Sequence, residues 1–269
     1  MSIGIVVCVK QVPDPECGRD SFTINSDELR VDPRGVSPVL SPFDGNALEA
    51  ALRIRESLPA GDVRITAVSV GKKISRAVVE AALAVGADAF VKIEDDGFAS
   101  NLLDSFATAS ILAAAIGKME KVDLVLAGRQ ASDWNAGQVG VGIAHLLAAA
   151  AITLARKVEV HGSCTVVERL TSEGYEKVEA PLPAVVVVSN EVGTLRYPSI
   201  AQRKAARTKQ VLSWNLADIG MQRPPQPRLT LTNLFAPASR QPHCVFIEAD
   251  SGVEAGRNLA QRLRSDGIL

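Results

Sequence analysis

The chain reads as an α/β protein built on an open, mostly parallel sheet with helices on both faces, and three features predict this. Apolar, β-branched runs at 3–9, 63–70 and 89–93 alternate with amphipathic helical segments over the first 150 residues, the pattern of βαβ units. The first run is continuous rather than alternating, as expected of a strand buried on both faces. The stretch 123–147 passes from an apolar run through a polar loop into a Gly/Ala-rich segment of helical period. Such a strand-loop-helix junction is where open sheets bind ligands.

Taken in order, the first strand ends at Cys8, Val9 and Lys10, and residues 11–42, rich in Pro, Asp, Gly and Ser, make a long excursion with a short extended piece at 28–31. A helix follows from Asp44, with Ala47, Leu48, Ala51, Leu52 and Ile54 on one face and Asp44 near the positive end of its dipole. Pro59, Ala60 and Gly61 end it. Strand 63–70 stops at Gly71, a helix over 74–85 is closed by Gly86, and strand 89–93 leads to a helix over 101–119 and a strand at 124–127. After Ala150 the pattern changes to short alternating strands at 157–161, 166–170 and 175–179, with turns at Gly162 and Gly174, an antiparallel addition. The apolar run 184–188 can return to the main sheet.

Beyond Asn190 the segment shows no core of its own. It holds Ile200, a basic run from Arg203 to Lys209, a Pro-rich stretch at 222–228 and a short strand at 244–247. Ser251 and Glu254 then make a capping box before a final helix. The expected organisation is an α/β nucleotide-binding domain over 1–190, a partner recognition segment over 191–210 and an arm over 211–269 that packs on a partner subunit.

Composition narrows the function. With 269 residues, 47% of them hydrophobic, and a net charge of −1, the chain lacks the basic balance of a nucleic-acid or anionic-membrane surface. Cys8, Cys17, Cys164 and Cys244 lie far apart without CxxC pairs or nearby histidines, which argues against a metal or iron–sulfur site and for reduced thiols in the cytoplasm. No signal peptide or membrane span is read, so no membrane insertion is expected. No catalytic constellation stands out. His145 lies in an apolar helix, where a core or boundary role is expected, and His161 and His243 lie in turns without a nucleophile beside them. The phosphate loop GxxxxGK[ST] and a GxGxxG after the first strand are both missing.

Two segments carry candidate chemistry. In the loop after the fourth main strand, Gln130, Ser132, Asp133, Asn135 and Gln138 crowd five polar side chains ahead of a helix whose N-terminal amides suit a phosphate near 136–139. The basic run after Ile200 reads either as a solvated helix face or as an apolar anchor ringed by charge, the form of a transient docking element.

These residues carry a family resemblance. The chain resembles the β subunit of an electron-transfer flavoprotein in VCVKQVPD at 7–14, SPFDGNALEAALRIRE at 41–56, VSVG at 68–71, GRQASDWNAGQVG at 128–140, VERLTSEGYEKVEAPLPAVVVV at 167–188 and LRYPSIAQRKAARTK at 195–209. Ser41 stands where the family has Asn, Lys72 where a Pro often follows the glycine, and Ser172, Glu173 and Val187 depart from the family's pattern in the antiparallel region. The resemblance implies an adenine-nucleotide-binding, Rossmann-like fold and a heterodimer with an α subunit that carries the redox FAD. It implies an electron carrier that shuttles electrons from acyl-CoA dehydrogenase-type donors to a respiratory acceptor, with no catalytic residue of its own.

By position, it assigns the nucleotide site to Cys8, Ser41, Pro42, Phe43, Asp44, Val70, Gly128, Arg129, Gln130, Ala131, Ser132, Asp133, Trp134, Asn135, Ala136, Gly137, Gln138 and Val139, with the amides of Gly137 to Val139 on phosphate. Ile200 would be the apolar anchor for the dehydrogenase, Arg203 and Lys204 would meet an acidic rim, and Glu168 would restrain the mobile flavin domain of the α subunit. The nucleotide is AMP or a second FAD. Gln138-Val139-Gly140 resembles electron-bifurcating members, which bind FAD and use NADH, whereas Trp134, Asn135 and Val141 do not, and the bulk of Trp134 favours AMP. A standalone adenine-nucleotide-binding regulatory protein is a further reading. An ATP-pyrophosphatase-type enzyme would need a Ser-Gly-Gly loop after the first strand, which this sequence lacks.

Overall fold

In the computed structural model, which describes residues 2–98, 104–237 and 244–269, the first strand, β1 (Ile3–Cys8), lies inside the main sheet. The excursion after it holds β2 (Gln11–Val12), a hairpin of β3 (Phe22–Asn25) with β4 (Arg30–Pro33), and β5 (Val39–Leu40), which pairs antiparallel with β2. Helix α1 (Pro42–Ser57) begins with a proline in its first turn, where a missing N–H costs nothing. Then come β6 (Val63–Val70), α2 (Arg76–Val85), β7 (Ala89–Ile93), α3 (Ser105–Lys118), β8 (Leu124–Gly128) and α4 (Val139–Leu146). Ser75 caps α2 by accepting from the Ala77 amide, and Gly86 ends it at φ +141°, a backbone that L side chains resist. The first residues of the helix expected at 101–119 lie outside the described residues, as does His243.

The remaining strands are β9 (Ala150–His161), β10 (Cys164–Thr171), β11 (Gly174–Pro181) and β12 (Ala184–Val188), followed by α5 (Ile200–Ala206), β13 (Gln210–Trp214) and α6 (Gly252–Ser265). Among the described residues, nine strands form the main sheet in the order β11-β10-β9-β12-β8-β1-β6-β7-β13. From β9 to β13 neighbours run parallel, and β10 and β11 extend the sheet antiparallel. The central parallel strands β1, β8 and β12 are buried on both faces. Ile5, Val7, Leu124 and Leu126 pack with α1 and α2, while Val6, Val125 and Ala127 pack with α3 and α4. Each such fully buried Val, Ile or Leu contributes about 1.5–3 kcal/mol. No described helix is long and apolar enough to cross a membrane.

Several expectations need correction. Strand β9 starts at Ala150 rather than 157, because its first half pairs parallel with β12 and only its second half forms the hairpin with β10. The segment beyond Asn190 has no core of its own but joins the main one: Val192 and Ala206 pack in the cluster of α1 and α2, Leu216 and Ile219 in that of α3 and α4, and β13 adds to the edge of the main sheet beside β7. The first compact unit therefore runs to Leu234, so residues 211–234, read as the start of an arm, belong to it. Asp104 secures them, accepting the amides of Arg228 at 2.6 Å and Leu229 at 3.0 Å while its other oxygen caps α3. Residues 235–269 form a second unit, in which Ser251 caps α6 and 244–247 form no strand, having no ladder to join. His145 is exposed, so of the two roles expected for it the core one is excluded.

The basic run also divides. Arg203 and Lys204 are exposed, whereas Lys209 turns inward and donates to the carbonyls of Leu83 at 2.8 Å and Ala87 at 2.7 Å, closing the C-terminal end of α2. Lys209→Met is expected to lower the unfolding free energy by about 1–3 kcal/mol, the range of charge-assisted hydrogen bonds. Arg203→Met should change it by less than about 0.5 kcal/mol. Denaturant unfolding of both variants checks the contrast.

Candidate functional site

The chain leaves β1 for β6 and β7 on one side and returns for β8 and β12 on the other, so the order of winding reverses between β1 and β8. Strand ends diverge there and leave a crevice at their carboxyl edge. Asp44 sits in it. One carboxylate oxygen accepts the Lys10 amide at 2.8 Å, just past β1, and the other accepts the Gly128 amide at 3.3 Å, at the end of β8. The Ser41 amide returns a bond to the Lys10 carbonyl at 2.9 Å. Gly128 has no room for a side chain, since a Cβ would come within 2.5 Å of the Phe43 carbonyl carbon. Burial pushes the Asp44 carboxyl up to about 7, against the pull of the two amides. Burial, and then Asp44 itself, push the neighbouring Cys8 thiol far up, so Cys8 stays protonated and inert.

The loop between β8 and α4 is held across this crevice. Lys10 Nζ reaches both carboxylate oxygens of Asp133, at 2.8 and 2.7 Å. Gln130 Nε2 donates to Asn135 Oδ1 at 2.9 Å, and Asn135 takes φ +52°, a left-handed backbone that Asn tolerates better than most residues. Gly137 follows at φ +67°. The Trp134 indole leaves about half its surface in solvent, 47%. Arg129 lies over the Phe43 ring at 5.1 Å and donates to Asn190 Oδ1 at 3.4 Å.

An anionic ligand fits this construction. Gln138 caps α4 without a side-chain bond, so the first-turn amides of the helix lack a side-chain acceptor and its dipole favours negative charge. The hydroxyls of Ser41 and Ser132 are buried without a partner, a cost that a hydrogen-bonding ligand would remove.

Cys8, Ser41, Pro42, Phe43, Asp44 and Val70 thus lie at the strand ends with Gly128 to Val139. Residues 133–138 face solvent. Lys10 and Asn190 were missed, for a lone lysine and a lone asparagine carry no motif. The docking residues lie elsewhere. Ile200 opens α5 and is 77% exposed, and Tyr197, which the sequence reading passed over, is 93% exposed. Glu168, on β10, is engaged within the chain by Arg156 at 3.1 Å and Lys177 at 3.8 Å. A second depression, at the ends of β7 and β13, is lined by Asp95, Asn215 and Arg223, but Asp95 already accepts the amides of Gly97 and Leu216.

Comparison with known proteins follows the same line. Residues 29–219 match the electron transfer flavoprotein domain. The chain is 38% identical over 205 residues to the electron transfer flavoprotein subunit beta of Thermoanaerobacterium thermosaccharolyticum, covering 74% of this chain and 72% of that one. It belongs to the electron transfer flavoprotein β-subunit family. The Clostridium acetobutylicum β subunit is 36% identical over 224 residues, covering 81% of this chain and 80% of the relative. The caffeyl-CoA reductase-Etf complex subunit CarD of Acetobacterium woodii is 35% identical over 224 residues with the same coverage. Members of the family are electron carriers, bind flavin and AMP, and pair as β with an α subunit.

The raised Asp44 carboxyl has a consequence for stability. The folded chain holds this proton up to about pH 7, while the unfolded chain releases it near the ordinary 3.8. Across that window the folded state binds more protons, so stability falls as pH rises, by on the order of 4 kcal/mol from this group. Asp44→Asn should remove that segment of the pH profile, so the stability difference between variant and wild type should shift by roughly 3 kcal/mol between pH 4.5 and 8. Parallel unfolding profiles would contradict the assignment.

Proposed function

We propose that this chain is the β half of a cytoplasmic two-subunit electron shuttle, holding AMP in the crevice between β1 and β8 and presenting a docking surface to a dehydrogenase of the acyl-CoA type. The observation that carries the nucleotide assignment is the Asp44-bridged strand ends facing the open N-terminus of α4. In this reading the amides of Gly137 to Val139 hold phosphate, and Ser41, Ser132 and Gln138 supply further hydrogen bonds. A partly protonated Asp44 lessens repulsion of the anion. The FAD held with the α subunit would supply the redox chemistry between the dehydrogenase and a respiratory acceptor. This chain's residues supply rigidity and recognition.

Docking rests on Ile200 and Tyr197, two exposed apolar side chains beside the exposed cations Arg203 and Lys204. Apolar anchors within a charged rim suit a transient partner with an acidic surround. The relative from Acetobacterium woodii, named for a caffeyl-CoA reductase complex, favours a partner that handles CoA thioesters. The unit 235–269 serves as the arm on the α subunit. Among its described residues α6 has none buried, and Phe246, Val253 and Leu259 are exposed, apolar surface that a partner would cover. Glu168 contributes its carboxylate toward the α-subunit flavin domain in competition with Arg156.

A second FAD in place of AMP, as in electron-bifurcating members that use NADH, is favoured by one observation: Trp134 is half exposed, which leaves indole surface for a flavin ring to stack on. Nucleotide release from the co-purified αβ pair tests both readings. One FAD and one AMP per pair is the expected result. Two FAD would assign the crevice to the second flavin, and one FAD with no further nucleotide would overturn a nucleotide role for this chain.

A further inference from the structure

Tyr197 is nearly free in solvent, yet the residues on either side of it are tied down. Four residues earlier, the Gly193 carbonyl accepts Asn46 Nδ2 at 2.6 Å, and Gly193 itself has φ +110°, with Arg53 so close that an added Cβ would lie 2.8 Å from Nη2. Leu195 lies against Gly45, where an added Cβ would be 3.4 Å from its own Cβ. Arg196 is clamped. Its backbone amide and Nε donate to one oxygen of Glu49 at 3.3 and 3.0 Å, and its Nη2 donates to the other at 2.9 Å and to Glu56 at 3.2 Å. Its Nη1 binds the second oxygen of Glu56. Glu49 is buried and also takes Arg53 Nε at 3.1 Å, so Arg196 joins Glu49, Arg53 and Glu56 of α1 in one charged cluster, with Glu56 at its outer edge. On the far side, Ser199 and Gln202 close a reciprocal capping box at the start of α5.

Only Tyr197 and Pro198 therefore stand between two fixed points, and proline is itself stiff. A buried carboxylate is costly unless paired, and here the pairing serves to seat the residue just before the most exposed apolar side chain of the segment. We infer that Arg196 is a positioning residue for docking: by gripping Glu49 and Glu56 it holds Tyr197 and Ile200 in one pose on α1, so that the dehydrogenase meets a preformed anchor. Preformed anchors bind better because little ordering remains to be done on contact. The inference rests on the docking role proposed above for this surface.

The test uses the intact αβ complex with an acyl-CoA dehydrogenase, pre-reduced by its acyl-CoA substrate, as electron donor. Arg196→Met is expected to raise the KM for the donor about five- to tenfold, the effect of ordering one or two side chains on binding, with kcat within about twofold and the flavin spectrum and nucleotide content unchanged. Amide hydrogen exchange over 194–200 should quicken in the same variant. Arg196→Lys should be intermediate, since an ammonium cannot span both carboxylates. Glu56→Gln, which removes only the exposed outer half of the clamp, should give the same direction with a smaller rise and guards against an Arg196 variant that fails to fold. Tyr197→Ala and Ile200→Ala separate the two levels of the argument. If these raise KM while the Arg196 and Glu56 variants leave both KM and exchange unchanged, the positioning role is overturned and docking stands. If none of the variants moves KM, the docking reading itself falls. A loss of kcat equal to the rise in KM would mark Arg196 as a general structural residue and overturn the inference.

Discussion

Where a parallel sheet reverses its winding, two adjacent strands end with amides that no neighbouring strand can satisfy, and here one carboxylate answers both. Asp44 takes the Lys10 and Gly128 amides from the first turn of α1, a place where the helix dipole also favours a negative charge. Much of the crevice depends on this arrangement. Gly128 must lack a side chain for α1 to approach β8 so closely, and Ser41 must precede the helix for its amide to return to β1. The burial that gives the carboxylate its role also raises its proton affinity, so the group that organises the site works near its own titration point.

Helix α1 links the two functional regions. Its first turn forms a wall of the crevice, and its next turns carry Asn46, Glu49 and Glu56, which hold the segment 193–196. The proposed ligand site and docking surface thus share one rigid element, itself packed on β1 and β8. This geometry suits the proposed division of labour in a two-subunit carrier, in which the flavin would supply the chemistry and this chain fixed positions.

Much of the architecture was legible because buried parallel strands leave continuous apolar runs, and β6, β7 and β12 fall where such runs lie. The first half of β9 was hidden by its alanines, which extend a helical pattern as easily as they enter a strand. Strand β13 was hidden because its neighbourhood is charged, and charge says nothing about direction: Lys209 looked like one more docking cation and instead closes α2. In the site, the polar loop and Asp44 were legible by type. That Asp44 spans two strands was not, since the Gly128 amide lies 84 residues away in the chain. Tyr197 escaped notice because exposure belongs to the folded surface and leaves no mark on a single residue.

The central claim is that the crevice between β1 and β8 holds the nucleotide. Amide hydrogen exchange on the αβ complex, stripped of AMP and then reloaded with it, tests this most directly. Reloading should slow exchange over 128–141 and 41–45 and leave 215–224 unchanged. Protection that arises instead around Asp95 and 215–224, with the loop after β8 unaffected, would place the nucleotide elsewhere and contradict the account.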